Sequence, residues 1–172
     1  LIISSSSLIP FPYASYPTLP NNSNCTINFP PEITLNERIS YCLKSGNTNL
    51  IIWSLSIFTK YSLNDKKCLQ NLQAIISFLN TKDILLENMV AKCLLELSKY
   101  FGKVITAPLL SPIMNKIKEN PSIEYIKILS SLMPFLTPET IECRILTMLE
   151  KFINDKTESY QYAAGELIIS NS

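Results

Sequence analysis

The sequence contains no histidine, and only three of its 172 residues are glycine. Without histidine it lacks the side chain that most often serves as a general base and as a metal ligand near neutral pH. Three glycines cannot supply the loops that hold nucleotide phosphates, and neither G-x-S-x-G nor G-x-G-x-x-G occurs. We therefore expect a protein that is not an enzyme and holds no cofactor or metal ion.

Two further features are missing: an excess of charge of one sign and a long apolar run. Lys and Arg together number 15 and Asp and Glu 14, so the formal net charge is +1. Proteins that bind nucleic acid usually have a basic excess on one face. No apolar run approaches the ~20 residues that span a bilayer. The sequence thus predicts neither nucleic-acid binding nor a membrane span.

The five cysteines form no C-x-x-C pair. Zinc sites need clustered Cys or His ligands, so this spacing does not favour a structural zinc. Cys42, Cys93 and Cys143 lie among apolar neighbours in helical patterns, which predicts reduced thiols that pack as small hydrophobic groups. Reduced thiols indicate a cytoplasmic protein, with the nucleus as an alternative location.

Residues 1–31 differ in composition from the rest of the chain. They contain no charged residue and six of the eleven prolines. Repeated prolines remove backbone donors and prevent a stable helix, so this segment is predicted to be a proline-rich irregular extension. Pro17 and Pro20 have P-x-x-P spacing, and Asn21 and Asn24 begin formal glycosylation sequons.

From Thr34 onward, apolar residues recur every three or four positions, which predicts helices. Thr34 and Glu37 form a capping box, Gly46 is a matching stop, and Thr137 is a cap followed by a proline at the first helical position. Trp53 is predicted to pack in the core. The predicted helices span about 35–45, 49–61, 65–79, 83–101, 108–119, 122–135, 138–153 and 157–169.

Four stretches of the chain resemble one another at a nearly constant spacing. They begin at Leu50 (L-I-I-W-S-L-S-I), Val90 (V-A-K-C-L-L-E-L), Tyr125 (Y-I-K-I-L-S-S-L) and Tyr160 (Y-Q-Y-A-A-G-E-L), so successive starts are 40, 35 and 35 residues apart. Such a period is typical of solenoids of stacked helix pairs, which usually bind proteins. We predict an all-α fold, an α–α superhelix of antiparallel helix pairs, with an irregular helical bundle as the alternative.

The repeat predicts the organisation of the domain that follows the extension. Residues 32–172 are expected to form helical repeats, with units at about 47–80, 82–120 and 121–155 and partial units at 34–46 and 156–172. The last predicted helix has no partner helix, so the array is expected to continue beyond Ser172 in a longer protein.

The segment from Val90 to Gly102 reads V-x-x-C-L-x-x-L-S-x-x-x-G, and Leu109 to Ile117 reads L-L-S-P-I-M-x-x-I. Together they resemble a HEAT repeat, most closely the repeats of the scaffold (A) subunit of type 2A Ser/Thr protein phosphatase and of type 4 phosphatase regulatory subunits. The resemblance implies a scaffold that holds a phosphatase catalytic subunit and a targeting subunit. A HEAT adaptor in nuclear transport, vesicle coats or microtubule binding is the alternative. A helical-bundle enzyme would need a polar pocket that the sequence does not indicate.

The resemblance also implies where partners bind, because HEAT arrays generally use the turns inside each unit and the polar faces of the second helices. The turns are expected at 62–67, 103–106 and 137–139. The candidate partner-binding residues are Asp65, Lys66, Lys67, Lys103, Thr106, Asn115, Lys116, Thr137, Glu139, Glu142 and Arg144.

Overall fold

A computed structural model of the protein describes residues 32–172, and every regular element in that range is helical. The predicted all-α class is therefore confirmed for this part of the chain. The predictions for residues 1–31 (the irregular extension, the P-x-x-P spacing and the two sequons) lie outside the described residues. Two compact units divide the described chain at Cys93, residues 32–93 and Leu94–Ser172.

Residues 32–172 form seven helices. Several combine α-helical turns with 3₁₀ or π turns. They are α1 (Leu35–Leu43), α2 (Thr48–Ile57, continued by a π turn at Phe58–Ser62), α3 (3₁₀ at Lys66–Asn71, α at Leu72–Ser77, 3₁₀ at Phe78–Asn80), α4 (Ile84–Glu119), α5 (Ile123–Leu132, then 3₁₀ at Met133–Phe135), α6 (Pro138–Thr140, π at Ile141–Leu146, α at Thr147–Asn154) and α7 (Glu158–Ser170).

Helix α1 begins with the predicted capping box. The Glu37 backbone N–H donates to Thr34 Oγ1 at 3.3 Å, and the Thr34 backbone N–H donates to Glu37 Oε2 at 2.8 Å. These two bonds satisfy amides that a helix start otherwise leaves without a partner. Gly46 has a φ of +72°, a left-handed conformation that glycine adopts without strain, and it turns the chain toward α2.

Helix α4 corrects one prediction. Two helices were expected, 83–101 and 108–119, but the chain is helical from Ile84 to Glu119 with a single break at Phe101 (φ −127°, ψ 21°). The helix resumes directly after Phe101, so Pro108 does not lie in a first turn and Pro112 does not mark a helix start. Both prolines lie inside the helix, where each removes one backbone donor.

Apolar residues that recur at the predicted helical spacing are buried in each unit. In residues 32–93, Ile39, Trp53 and Ile75 are at most 5% exposed, which confirms that Trp53 packs in the core. In Leu94–Ser172, the buried side chains include Leu97 and Phe152. Helical periodicity identified these residues because three- and four-residue spacing places them on one side of a helix.

The cysteine prediction is partly wrong. Cys42 and Cys93 are buried, as is Cys68, but Cys143 is exposed. Cys143 lies in the π turn of α6. At about 100° per residue it lies opposite the buried Ile145, so its apolar neighbours, and not the helical spacing, gave the wrong expectation.

Candidate partner-binding surfaces

The turn between α2 and α3 presents an acid and two lysines in the first unit. Asp65 ends the turn, and its Oδ1 accepts a hydrogen bond from the Lys67 backbone N–H at 2.9 Å. Lys66 and Lys67 are exposed and begin α3. Of the residues predicted for this turn, Asp65 lies in it and the two lysines lie in the helix that follows. We call these three residues the α2–α3 tip.

The start of α1 lies within electrostatic range of the α2–α3 tip. Hydrogen bonds from the Thr34 backbone and side chain hold the pKa of Glu37 below its ordinary value, and the nearby Lys67 cation lowers it further. The carboxylate therefore stays charged in mildly acidic solution. Residues from two helices thus form one charged surface.

A cleft of about 180 Å³ separates the first turn of α1 from the α2–α3 tip. Its lining includes Thr34, Asn36, Tyr61, Ser62, Asp65 and Lys67. Asn36 is 8% exposed and Ser62 is 3% exposed. Neither Asn36 Oδ1 nor Ser62 Oγ has a hydrogen-bond partner among the described residues. The cleft therefore has a charged rim beside two buried oxygens that no described residue bonds.

Asn71 of α3 helps to hold this arrangement together. Its Nδ2 donates to the backbone carbonyl oxygen of Asn36 at 3.3 Å, and the Asn71 side chain is almost fully buried. Because Nδ2 makes that bond, Oδ1 of the same amide points elsewhere, and it too lacks a partner within residues 32–172. The bond ties α1 to α3 beside the cleft.

A wider cleft of about 460 Å³ lies along the exposed side of α1. Glu37, Ser40, Tyr41 and Lys44 of α1 line it together with Gln70 of α3. The mixture of opposite charges, a hydroxyl, an amide and an aromatic ring suits polar contacts with another protein. None of these residues was predicted to bind a partner, because each resembles ordinary helix surface.

In the second unit, Thr137, Glu139, Glu142 and Arg144 lie at the start of α6. The Thr137 hydroxyl caps the helix by accepting from the Thr140 backbone N–H at 3.2 Å. Glu139, Glu142 and Arg144 are exposed. Arg144 Nη2 donates to Ser111 Oγ of α4 at 3.0 Å, so this arginine also links two helices.

The two candidate residues in the last part of α4 differ in accessibility. Asn115 is exposed and lies one helical turn after Ser111, close to the Arg144 contact. Only 15% of the Lys116 side chain is exposed, and its Nζ lies 3.8 Å from Glu119 Oε2. Asn115 is therefore the better placed of the two to contact a partner.

The prediction that Lys103 and Thr106 lie in a turn is wrong, because residues 103–106 are helical. Lys103 is exposed on α4. Thr106 is buried, and its hydroxyl donates to the Gly102 carbonyl oxygen at 2.5 Å, one turn earlier in the helix. The candidates at the α2–α3 tip therefore lie together, as do those at the start of α6. Lys103 and Thr106 instead lie within a helix.

Reactive groups are scarce in the described part of the chain. Within residues 32–172, no three His, Cys, Asp or Glu side chains converge as metal ligands do. Burial raises the pKa of Cys42 to about 12; burial and then the Asp65 carboxylate raise that of Cys68 to about 11. Both thiols are protonated near neutral pH and are weak nucleophiles. Of the helices described, none is both long and apolar enough to cross a bilayer.

No protein-family model matches the chain, and no similar curated protein is found.

Proposed function

We propose that the chain is a non-catalytic protein-binding scaffold whose helices stack as HEAT-like pairs. The observation that best supports this function is that α7 packs against both α6 and α5. Helices α5 and α7 contain the matching stretches that begin at Tyr125 and Tyr160. In a solenoid, equivalent helices of successive units contact each other in this way.

Specific contacts around α7 agree with stacking in the second unit. Ala163 and Ala164 are buried, and their small side chains let helices approach closely. Tyr160 donates its hydroxyl hydrogen to the Lys118 carbonyl oxygen at 2.8 Å, and Asn171 Nδ2 donates to Ser130 Oγ at 3.2 Å. These bonds connect α7 to α4 at one end and to α5 at the other.

The first unit contains a similar relation between alternate helices. Helix α1 contacts α2, which follows it, and also α3. In the predicted repeat, α1 and α3 are the second helices of successive units. The Asn71–Asn36 hydrogen bond is one of the links between them. The same repeat thus accounts for contacts in both units.

For the partner, we propose a Ser/Thr phosphatase catalytic subunit together with a targeting subunit, in the cytoplasm or nucleus. This assignment is supported by the resemblance of the stretches from Val90 to Gly102 and from Leu109 to Ile117 to phosphatase scaffold repeats. The α2–α3 tip and the exposed start of α6 offer charges of both signs, which favour specific rather than indiscriminate protein contacts.

Affinity purification of the tagged chain from cells of its native organism, followed by mass spectrometry, tests the proposal. We expect a Ser/Thr phosphatase catalytic subunit among the recovered proteins. Reversing the three charges of the α2–α3 tip (Asp65→Lys, Lys66→Glu, Lys67→Glu) should reduce that recovery. The control variant combines Glu124→Lys and Lys127→Glu, two exposed positions on α5 that we assign to no partner.

Two outcomes would contradict parts of this function. Recovery of tubulin, transport cargo or coat proteins without a phosphatase would reject the phosphatase assignment and favour the adaptor alternative. Equal losses for the tip variant and the α5 control would show that the tip is not a specific binding surface.

A further inference from the structure

Helix α6 carries an exposed apolar strip at helical spacing. Leu146 is 45% exposed and Ile153 is 54% exposed. Leu149, which is half-buried, lies between them. Residues three, four and seven positions apart lie on the same side of a helix, so these three side chains form one continuous strip. We call Leu146, Leu149 and Ile153 the α6 edge.

The α6 edge faces away from α4. Arg144 lies two residues before Leu146, and at about 100° per residue the two side chains leave α6 in nearly opposite directions. Arg144 Nη2 donates to Ser111 Oγ of α4 at 3.0 Å, so α4 is on the arginine side. Ile145 and Phe152 mark the buried side of α6. The exposure of the α6 edge shows that no described helix covers it fully.

Acidic side chains border the α6 edge. Glu142 and Glu150 are exposed, and each lies four residues from Leu146, which makes it a neighbour on the helix surface. The two bases of α6 are Arg144 and Lys151. Neither is three or four residues from any member of the α6 edge, so they do not face it. The edge is therefore an apolar strip with a negative border.

We propose that the α6 edge binds an amphipathic helix of a partner protein, with an apolar face bordered by lysine or arginine. From Glu142 to Ile153 the strip and its acids extend about 17 Å, the length of about three helical turns. A partner helix of that length presents apolar side chains at three- and four-residue spacing along the strip. Its cations would lie next to the two glutamates. The choice of a partner protein rests on the proposed scaffold function.

A second copy of this chain is a poorer occupant. The same surface serves on both subunits of a symmetric dimer, so the glutamates of one copy would approach those of the other. Like charges that meet across an interface oppose association. Sedimentation velocity should therefore show a monomer at the concentrations used for binding. If the chain instead self-associates and Leu146→Ser abolishes this, the edge is a contact between copies and the proposal is wrong.

Fluorescence anisotropy with short labelled peptides tests the proposal on the full chain. The probe is a designed helix with leucine at three- and four-residue spacing and lysine on both sides of the leucine face. We expect saturable binding with a dissociation constant on the order of 10–100 μM, since the contact area is small. A peptide of the same composition whose leucines do not share a face should bind about tenfold more weakly, as should one with glutamate in place of lysine. Equal binding by either control peptide, or no saturation by the probe, would overturn the proposal.

The variant Leu146→Ser with Ile153→Ser tests the apolar strip. It should weaken binding of the basic peptide about tenfold, while its thermal melt stays close to that of the parent because both side chains are exposed. Leu85→Ser with Ile84→Ser is the matched control. It makes the same two replacements at positions 61% and 75% exposed in the first unit, and the affinity should not change. Equal losses in the two double variants would contradict the assignment.

The variant Glu142→Gln with Glu150→Gln tests the acidic border while keeping the size of both side chains. The basic peptide should bind about two- to tenfold more weakly, and its affinity should depend less on salt. Glu32→Gln with Glu124→Gln removes the same charge from exposed positions outside α6 and should have a smaller effect. An equal effect would mean that only the total charge of the chain matters, and the proposal would be wrong.

Failure of this proposal is distinguishable from failure of the proposed function. No saturation by the basic peptide, together with a phosphatase recovered in the affinity purification, rejects the α6 edge alone. Saturation that the variants reduce as expected, without a recovered phosphatase, supports the edge and rejects only the phosphatase assignment.

Discussion

At the residue scale, Leu97 is a direct test of the buried face of α4. Its side chain is fully buried. Leu97→Ala removes three carbon atoms from a packed site that can only partly collapse, so we expect a loss of about 2–5 kcal/mol in the free energy of unfolding. Chemical denaturation followed by circular dichroism measures the change.

Leu85→Ala is the matched control for this experiment. It makes the same chemical change in the same helix, but Leu85 is 61% exposed. Its effect should stay within about 0.5 kcal/mol, as is usual for surface positions. If Leu97→Ala were no more damaging than Leu85→Ala, the assignment of the buried stripe would be wrong.

The cysteines differ in the exposure of their side chains and in the pKa of their thiols. In a Cys25→Ser background, a thiol reagent such as iodoacetamide at mildly alkaline pH should label Cys143 first, because only its thiol is exposed among Cys42, Cys68, Cys93 and Cys143. Burial raises the pKa of Cys42 to about 12, so little thiolate is present there in the folded protein. Peptide mass mapping of labelled sites is the readout. Rapid labelling of Cys42 without unfolding would contradict this burial.

At the element scale, the capping box predicts how α1 responds to pH. The pKa of Glu37 is held below 4.5 by hydrogen bonds from Thr34. A carboxyl group with a lowered folded pKa contributes stability above its unfolded pKa, and this contribution is lost as pH falls through the folded value. The parent protein should therefore lose stability more steeply than Glu37→Gln below about pH 4.5, as thermal melts at stepped pH will show.

Thr34→Ala tests the other half of the same box at neutral pH. Loss of the capping hydroxyl should reduce stability by about 0.5–2 kcal/mol. Thr48→Ala is its control, since Thr48 is the first residue inside α2 and Asn47 provides the cap there. Equal effects of the two substitutions would show that the cap adds nothing specific.

Two helical glycines predict opposite responses to alanine. A Cβ at Gly165 of α7 would meet no atom within 4 Å, so Gly165→Ala should stabilise the protein by about 0.5–1 kcal/mol. A Cβ at Gly102 would overlap the Phe135 ring, so Gly102→Ala should destabilise it. Melting temperatures of both variants provide the comparison.

A double variant identifies the cause of the Gly102 effect. Removing the ring in Phe135→Ala should make Gly102→Ala less harmful than it is in the parent background, because the overlap is gone. Additive effects of the two substitutions would instead mean that Gly102 is required for the backbone near the Phe101 break.

At the scale of the whole molecule, we expect the ion pairs of the described residues to contribute little to stability. The net charge is +1, and the Lys99–Glu96 and Lys116–Glu119 pairs each lie within one helix near the surface. Such pairs typically contribute about 0–1 kcal/mol and weaken in salt. Raising the salt concentration to about 1 M, where the Debye length is about 3 Å, should therefore shift stability by no more than roughly 1 kcal/mol. A large loss in denaturation experiments would reveal an ionic network.

The features of the fold that could be predicted are those that depend on interactions between residues close together in the sequence. The capping box at Thr34, the cap at Thr137 and the buried stripe of α4 were all predicted from neighbouring residues. The errors also have local causes. A helix was predicted to end at 101, where the break falls, but the next was expected to begin only near Pro108, whereas the chain is helical again directly after Phe101. Cys143 was assigned to the core from its apolar neighbours, although its position opposite the buried Ile145 leaves it exposed.

The amino-acid sequence alone determined the helical class, most helix positions and most buried side chains, because spacing along one helix sets which residues share a face. Only the tertiary structure decided which polar groups from distant helices meet. The cleft beside Asn36 and Ser62 and the bond between Arg144 and Ser111 depend on how the helices pack. The first two residues are 26 positions apart and the second two 33, and pairs so distant in the sequence leave no periodic signal that predicts their contact.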